Sequence, residues 1–252
     1  FGSSSHDGSS HAGKHAHVRA MVCLSFNTGV TPRTELEEGD DGFTELEDHD
    51  LPASLPLRSR WIVWEQLMAN SGTSLPYSEA TREIATCETV EEFWKMWALL
   101  PQPSQLLSKR MVLNVADGFH IVDALMVFRA GVKPQWEDAA NADGGHFQFQ
   151  LRGALGPGTL DEYWNNLVLG VIGATIEPVD MITGLRLVDK LAGTRGSGHL
   201  RIEVWFSPVA DSAAVQQLRR SVERCMATRM LEGRIGPMQP GELKVHKMTR
   251  HQ

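Results

Sequence analysis

The segment His199-Leu-Arg-Ile-Glu-Val-Trp205 decides the fold, because apolar and polar residues alternate along it. Successive side chains of a β-strand point to opposite faces of a sheet, so this alternation predicts a strand with one buried face. His146-Phe-Gln-Phe-Gln-Leu-Arg152 shows the same alternation. Between the two segments, the apolar residues from Leu160 to Ile172 recur with the 3.6-residue period of a helix.

The same patterns continue outward from this centre. Further strands are predicted at Arg60–Trp64, Ala124–Arg129, Leu185–Lys190 and Leu243–Val245. Three helices are predicted: one opened by the capping box Thr89-Val-Glu-Glu92 and ended by Pro101, one opened by Thr159-Leu-Asp-Glu162, and one starting near Asp211. This order of elements indicates an α+β fold in which a curved antiparallel sheet has helices on one face.

Composition and charge divide the 252 residues into two parts. Residues 1–50 carry three basic and ten acidic side chains and are rich in Ser, Gly and His, so residues 1–54 are predicted to be a disordered extension. Residues 55–252 are predicted to form one domain. Basic and acidic residues balance over residues 51–252, so any contact with nucleic acid is expected to be small and local.

Several classes of protein are disfavoured by missing signals. The three cysteines are widely spaced, and the longest apolar run, Leu167–Ile176, is too short to cross a membrane. No phosphate loop, paired-histidine zinc motif or nucleophile elbow is present. We therefore expect a cytoplasmic protein that is not an enzyme and needs no metal or cofactor. Four histidines at 6, 11, 15 and 17 could bind a metal adventitiously, although a solvated tail is the simpler interpretation.

The segment Lys133-Pro-Gln-Trp-Glu-Asp138 is the strongest candidate for a binding site. Pro134 disfavours regular structure, so Trp136 is predicted to lie in a loop where its indole can stack on a planar ligand. Glu137 can accept two hydrogen bonds from a base edge that carries two donors, as guanine does. A loop tryptophan that only closes the core remains the alternative.

Several motifs in register resemble the family of mRNA cap-binding translation initiation factors 4E. They are Arg-Trp-Ile-Val-Trp (60–64), Thr-Val-Glu-Glu-Phe-Trp (89–94), Gly-Val-Lys-Pro-Gln-Trp-Glu-Asp (131–138), Gly-Gly-His-Phe (144–147), Leu-Asp-Glu-Tyr-Trp (160–164), Val-Ile-Gly (171–173) and Ile-Glu-Val-Trp (202–205). The resemblance covers roughly residues 55–250. It implies three long helices on the convex face of the sheet and a cap site in the concave face.

The resemblance also implies roles for individual residues of that site. Trp136 corresponds to one wall of the aromatic sandwich around the cap, and Glu137 to the carboxylate that reads the guanine edge. Tyr77 corresponds to the opposite wall, where the family usually has a tryptophan. Trp205 corresponds to the residue that contacts the N7-methyl group.

The phosphates of the cap are expected to contact basic residues. The family positions fall on Lys190 and Arg201, with Arg195 available in the glycine-rich segment between them. The third position, usually basic, is His146 here. Because an ordinary histidine is mostly neutral near pH 7, this difference predicts a weaker hold on phosphate, strengthened by protonation below about pH 6.5.

A second surface is implied on the helix side of the sheet, where family members receive a helical peptide from a scaffold initiation factor or a repressor. The matching residues are Pro56, Val90, Trp94 and Leu169. Val90 and Leu169 also suit ordinary helix packing, whereas Trp94 adjoins two further aromatic residues, so that one of the three is expected to face solvent. Asn165-Asn166 stands where the family usually has an acid, which weakens the case for an ion pair to the partner.

The chain also departs from the family in spacing. The segment Lys109–Asp123 is an insertion that resembles those of divergent protist members, including dinoflagellate proteins. Its alternating apolar residues predict an added hairpin or strand.

The resulting hypothesis is a monomeric protein that binds the 7-methylguanosine cap of mRNA, recruits capped mRNA for translation and does not contact membranes. One alternative is a repressor-type adaptor that binds the cap but not the scaffold factor. Another is a tryptophan-lined site for a small ligand or carbohydrate on the same fold.

Overall fold

One antiparallel sheet organises the protein, and a computed structural model describes it over residues 54–68, 80–115, 118–191, 198–229 and 234–246. The strands are β1 Pro56–Leu67, β2 Thr81–Thr89, β3 Val112–Val115, β4 Gly118–Arg129, β5 Gly145–Leu151, β6 Ile182–Lys190, β7 His199–Phe206 and β8 Glu242–Val245. The helices are α1 Val90–Trp97, α2 Pro103–Leu106, α3 Pro157–Ile172 and α4 Ser212–Ala227, with short 3-10 turns at Gly153–Leu155 and Val179–Met181. The strand order is β2-β1-β4-β6-β7-β5-β8, and β3 pairs with the start of β4.

Alternation along the central strands separates the two faces of the sheet. On β7, Leu200, Ile202 and Val204 belong to the main core, which the helices cover. The opposite face, called the open face below, carries a smaller apolar cluster. Its buried members are Trp64, Ala124, Met126, Phe128, Val188 and Trp205. Within the described residues, no helix is long and apolar enough to span a bilayer.

Two of the three predicted helix starts are confirmed. Thr89 caps α1 by accepting a hydrogen bond from the Glu92 backbone N–H at 3.2 Å, although the Glu92 carboxylate accepts from Glu88 rather than from Thr89. Asp211 caps α4 by accepting from two backbone N–H groups at its start. The α1 helix has only eight residues and ends before Pro101.

The predicted start of α3 at Thr159 is wrong. The helix begins at Pro157. Gly156, at φ +86°, turns the chain at the N-cap position, and the restricted φ of Pro157 suits the first position of a helix. Strand β2 is missing from the sequence prediction, because it lies at the edge of the sheet and most of its side chains are exposed or half-buried. Only Cys87 of β2 is fully buried, and a strand with so few buried residues does not show the alternation that reveals a strand in a sequence.

The inserted segment forms the expected hairpin, β3 with the start of β4. The backbone N–H of Met68, just after β1, donates to the Ile121 carbonyl, whereas the N–H of Val122 donates to the Met111 carbonyl on the other edge of β4. That second edge is the one β6 uses further along β4. The hairpin therefore extends the sheet beyond the carboxyl end of β6.

Candidate functional site

The loop between β4 and β5 is held in one shape by its own side chains. Asp138 accepts hydrogen bonds from the backbone N–H groups of Lys133 and Ala140, both at 2.9 Å. The buried Asn141 amide donates to the carbonyls of Lys133 and Gln135 at 2.9 and 3.0 Å. Because these bonds tie both ends of the loop together, the residues at its tip are presented in a preorganised position.

Trp136 and Glu137 form that tip. Trp136 is 47% exposed, and Glu137 is exposed beside it. The Trp136 ring stacks on the His246 ring with centroids 5.7 Å apart and planes 17° apart. Trp136 therefore does not close the core: one face of its indole lies on His246, and nearly half of the residue faces solvent.

His246 links the loop to the sheet. Its Nδ1 donates to the Asn141 carbonyl at 2.8 Å, which leaves its Nε2 to accept from His146 Nδ1 at 3.1 Å when both rings are neutral. Its ring also lies 4.5 Å from that of Trp205. Burial, the largest influence, lowers the pKa of His246 and outweighs the hydrogen bond to Asn141. His246 is thus a neutral ring packed between two tryptophans.

Trp205 and His146 lie beneath the surface. They are cross-strand neighbours on β7 and β5 with rings stacked at 5.5 Å, and they are 1% and 5% exposed. Burial lowers the pKa of His146 to about 4. The expectation that His146 titrates near pH 6.5 is therefore wrong, because desolvation disfavours the imidazolium. Contacts of either residue with a ligand stay predictions, and a methyl group can reach Trp205 only if a covering ring moves.

Glu203 is a buried carboxylate in the middle of the open face. It accepts a hydrogen bond from Trp205 Nε1 at 2.9 Å and one from Arg186 at 3.1 Å, and Arg201 Nε lies 2.8 Å from its other oxygen. Burial would raise the pKa of Glu203, but the two guanidinium groups and these contacts together lower it. Glu203 is therefore ionised, and it orients the Trp205 indole and both arginines.

Lys190 and Arg201 bring positive charge to the same face. They lie on adjacent strands, since Arg201 pairs with Val188 and Lys190 with His199. Lys190 Nζ lies 3.4 Å from the Asp123 carboxylate, which the inserted hairpin supplies. Both cations are thus already paired, one with Asp123 and the other with Glu203, so an anionic ligand has to compete with a carboxylate for each.

Two of the predicted site residues lie outside the described residues. Tyr77 belongs to the segment between β1 and β2, and Arg195 to the segment between β6 and β7. The roles implied for them stay predictions.

The surface implied for a helical partner lies on the helix side. Trp94 is 50% exposed while its neighbours Phe93 and Trp97 are buried, as the run of aromatic residues predicts. Pro56 is exposed and pairs with Thr89 at the start of α1, one residue before the half-buried Val90. Leu169 is half-buried on α3 and packs against the main core.

Asn166 has a structural task that explains why no acid stands there. Its buried amide donates to the carbonyls of Met226 and Thr228 at 3.0 and 2.6 Å, at the end of α4. A carboxylate cannot donate these bonds. Asn166 therefore holds α3 to α4 and is not presented to a partner.

Sequence reasoning missed several residues that build the site, among them His246, Glu203 and Asp123. The alternation of β7 carried a signal for Glu203, since it places this residue on one face between Arg201 and Trp205. His246 and Asp123 carried none, because their importance comes from contacts between segments distant in the chain.

The fold and the site together define a class: an antiparallel-sheet protein with helices on one face and an exposed tryptophan, a carboxylate and cations on the other. Residues 56–236 match the family model described as "Eukaryotic initiation factor 4E", and the chain belongs to that family.

Relatives with curated descriptions agree with this assignment. The chain is 36% identical over 170 residues to the eukaryotic translation initiation factor 4E of Saccharomyces cerevisiae, covering 67% of this chain and 68% of the yeast protein. It is 34% identical over 169 residues to that of Candida glabrata, covering 66% of this chain and 73% of the relative.

Solved structures confirm the fold. The structure of Ascaris suum eIF4E-3 with an m2,2,7G cap matches with a TM-score of 0.57 and 20% identity, covering 77% of this chain and 92% of that one. Caenorhabditis elegans eIF4E-3, with the 4E-binding protein Mextli and a cap analogue, matches with a TM-score of 0.56 and 20% identity over 77% of this chain and 93% of that one. The predicted α+β sheet with helices on one face is thus confirmed.

Proposed function

We propose that this protein binds the 7-methylguanosine cap of mRNA on its open face and recruits the mRNA for translation initiation. It acts in the cytoplasm as a binding protein without catalytic activity. The family supports this proposal, as do the cap ligands named for its structural neighbours. We assign the activity to residues 55–252 and treat residues 1–54 as an extension.

The observation that carries the proposal is the exposure of Trp136 at the tip of a preorganised loop. Its inner face rests on His246, so a planar ligand can add to the stack on the outer face. A methylated guanine carries positive charge, which strengthens stacking on an indole by about 0.5–2 kcal/mol. The neighbouring Glu137 carboxylate can accept the two hydrogen bonds of the guanine edge.

The remaining walls of the site follow from the family positions. We assign the opposite wall to Tyr77 and the floor to Trp205, which meets the N7-methyl group once a covering histidine has moved. Lys190 and Arg201, with Arg195, take the phosphates. His146 supports Trp205 through its stacked ring rather than by donating charge to a phosphate.

The helix side is assigned to a helical peptide of a scaffold initiation factor or a repressor. We assign its largest apolar contact to the half-exposed Trp94 and further contacts to Pro56, Val90 and Leu169. One structural neighbour was solved with the 4E-binding protein Mextli, which supports a partner of this kind. Because the buried Asn166 amide is used for hydrogen bonds to the end of α4, the lack of an acid at this position does not favour the repressor-type alternative.

Two tryptophans provide a matched test. Trp136 and Trp94 are similarly exposed, on different sides of the protein. Trp136→Ala should abolish retention on immobilised 7-methylguanosine triphosphate, while Trp94→Ala is retained like the wild type. Binding of a scaffold-type helical peptide should be lost in Trp94→Ala and kept in Trp136→Ala.

The competing nucleotide decides between the remaining interpretations. Free 7-methylguanosine triphosphate should elute the wild type, whereas unmethylated GTP should not. Elution by both nucleotides equally, or retention of Trp136→Ala at the wild-type level, contradicts the proposal and favours a general small-ligand site. Cap binding without any binding of helical peptides favours the repressor-type adaptor.

A further inference from the structure

Phe119, on the inserted hairpin, is a large aromatic side chain with no evident structural task. It is 62% exposed, more than either Trp136 or Trp94. An aromatic side chain on a β-strand usually stabilises the fold by packing against its neighbours. Because most of the Phe119 ring is not packed, it is accessible to a ligand.

The register of the hairpin shows which face Phe119 occupies. Leu113 is buried in the main core and pairs directly with His120. Phe119 pairs with Asn114, one position further along, so both lie on the opposite side. That side continues the open face, which carries the proposed cap site.

The hairpin also adjoins the proposed phosphate end of that site. Strand β6 ends at Lys190, on the same edge of β4 that β3 occupies. Arg110, just before β3, donates from Nε to Asp189 at 3.2 Å. Asp123 of β4 pairs with Lys190. Charged contacts therefore join the hairpin to β6, the strand that carries Lys190, one of the proposed phosphate contacts.

We propose that the hairpin binds the nucleotides that follow the cap in the same mRNA, with a base stacked on Phe119. This inference rests on the proposed function, because it takes the cap triphosphate to lie at Lys190. The hairpin carries an exposed aromatic ring near its tip and cations at its base, and aromatic rings combined with cations are the means by which proteins hold single-stranded nucleic acid without reading its sequence. Lys109, exposed next to Arg110, adds positive charge for the backbone phosphates.

The charges around the hairpin limit the contribution of electrostatics. Arg110 and Lys190 face the carboxylates Asp123 and Asp189, so this cluster is close to neutral. Stacking on Phe119 therefore has to supply most of the gain, and the effect of its removal should depend little on salt.

The test compares ligands with and without an RNA body. Binding of 7-methylguanosine triphosphate and of a capped single-stranded RNA 10-mer is measured for the wild type, Phe119→Ala, Phe119→Leu and Phe119→Tyr. Leu99→Ala, which removes an exposed side chain just after α1, is the control. We expect the wild type to bind the capped 10-mer at least about fivefold more tightly than the nucleotide, the low end for one base stacked on an aromatic side chain.

Phe119→Ala and Phe119→Leu should lose this advantage, while Phe119→Tyr and Leu99→Ala keep it and all variants bind the nucleotide equally. Equal affinity of the wild type and Phe119→Ala for the capped 10-mer, with the nucleotide still bound, overturns the inference. If the wild type does not bind the nucleotide, the proposed function fails and this inference falls with it.

Discussion

Acidification should destabilise the fold through His146. The folded pKa of this residue is about 4, below the ~6.5 of a histidine in an unfolded chain. Between these two pKa values the unfolded state therefore binds more protons than the folded state. The stability that the neutral His146 ring contributes is complete above about pH 6.5 and is lost as the pH falls. These two pKa values give a loss of about 2 kcal/mol in the free energy of unfolding between about pH 7.5 and pH 5.

His246 adds to this loss in the same direction, because burial also lowers its pKa. Glu203 adds little in this range, since its pKa is lowered in the folded state and an unfolded glutamate, with a pKa of about 4.3, is also mostly ionised down to pH 5. The measurement is urea unfolding at the two pH values, followed by tryptophan fluorescence. His146→Gln retains a hydrogen-bond donor toward His246 but has no titrating ring. The free energy of unfolding that this variant loses between the two pH values should therefore shrink to the contribution of His246.

Two outcomes would refute the reasoning. Equal stability of the wild type at both pH values means that His146 is not held neutral by burial. A loss in His146→Gln as large as in the wild type means that other groups cause the pH dependence.

Three further changes test other parts of the site. Asp123→Asn should strengthen binding of 7-methylguanosine triphosphate by up to about fivefold in a titration, because the Asp123 carboxylate no longer competes with the phosphate for Lys190 and an ion pair near the surface is worth about 0.2–1 kcal/mol. Glu137→Gln should weaken cap binding by about 1–3 kcal/mol, measured by calorimetry, because the amide sets a donor against a guanine donor. Asn166→Asp should lower the melting temperature, with about 3 kcal/mol lost, because a buried carboxylate would face two carbonyl oxygens.

Each of these has its own control. For Asp123→Asn, the 7-methylguanosine nucleoside lacks phosphates and should bind unchanged; weaker binding of the triphosphate would show that Asp123 supports the site instead of competing for Lys190. For Glu137→Gln, wild-type affinity would show that Glu137 does not read the base. For Asn166→Asp, the reference is Gln217→Glu, an amide-to-acid change at an exposed position of α4; equal melting temperatures of the two variants would contradict the assigned role.

Much of the fold could be predicted because periodic burial leaves a local signature. Strands β5 and β7 are evident from alternation, and α4 from its cap at Asp211 and its apolar stripe. The start of α3 was mispredicted because Thr159-Leu-Asp-Glu162 fits a capping box, although Gly156 and Pro157 begin the helix earlier. The edge strand β2 went unnoticed because it has too few buried residues to show a period.

For the site, the sequence by itself determined the chemical groups: a tryptophan and a carboxylate on a loop after proline, and basic residues at strand ends. It indicated the loop position of Trp136 because Pro134 disfavours regular structure there. It also indicated the exposure of one aromatic residue in α1, because neighbouring helical positions cannot all face the core.

Only the tertiary structure decided how these groups act on one another. It brings His246 against Trp136 from more than a hundred residues away and buries it beside His146, which keeps both rings neutral. It sets Asp123 against Lys190 and turns Asn166 inward toward α4. Burial and ionisation depend on what surrounds a side chain in space, and that environment is assembled from segments whose contacts no local pattern encodes.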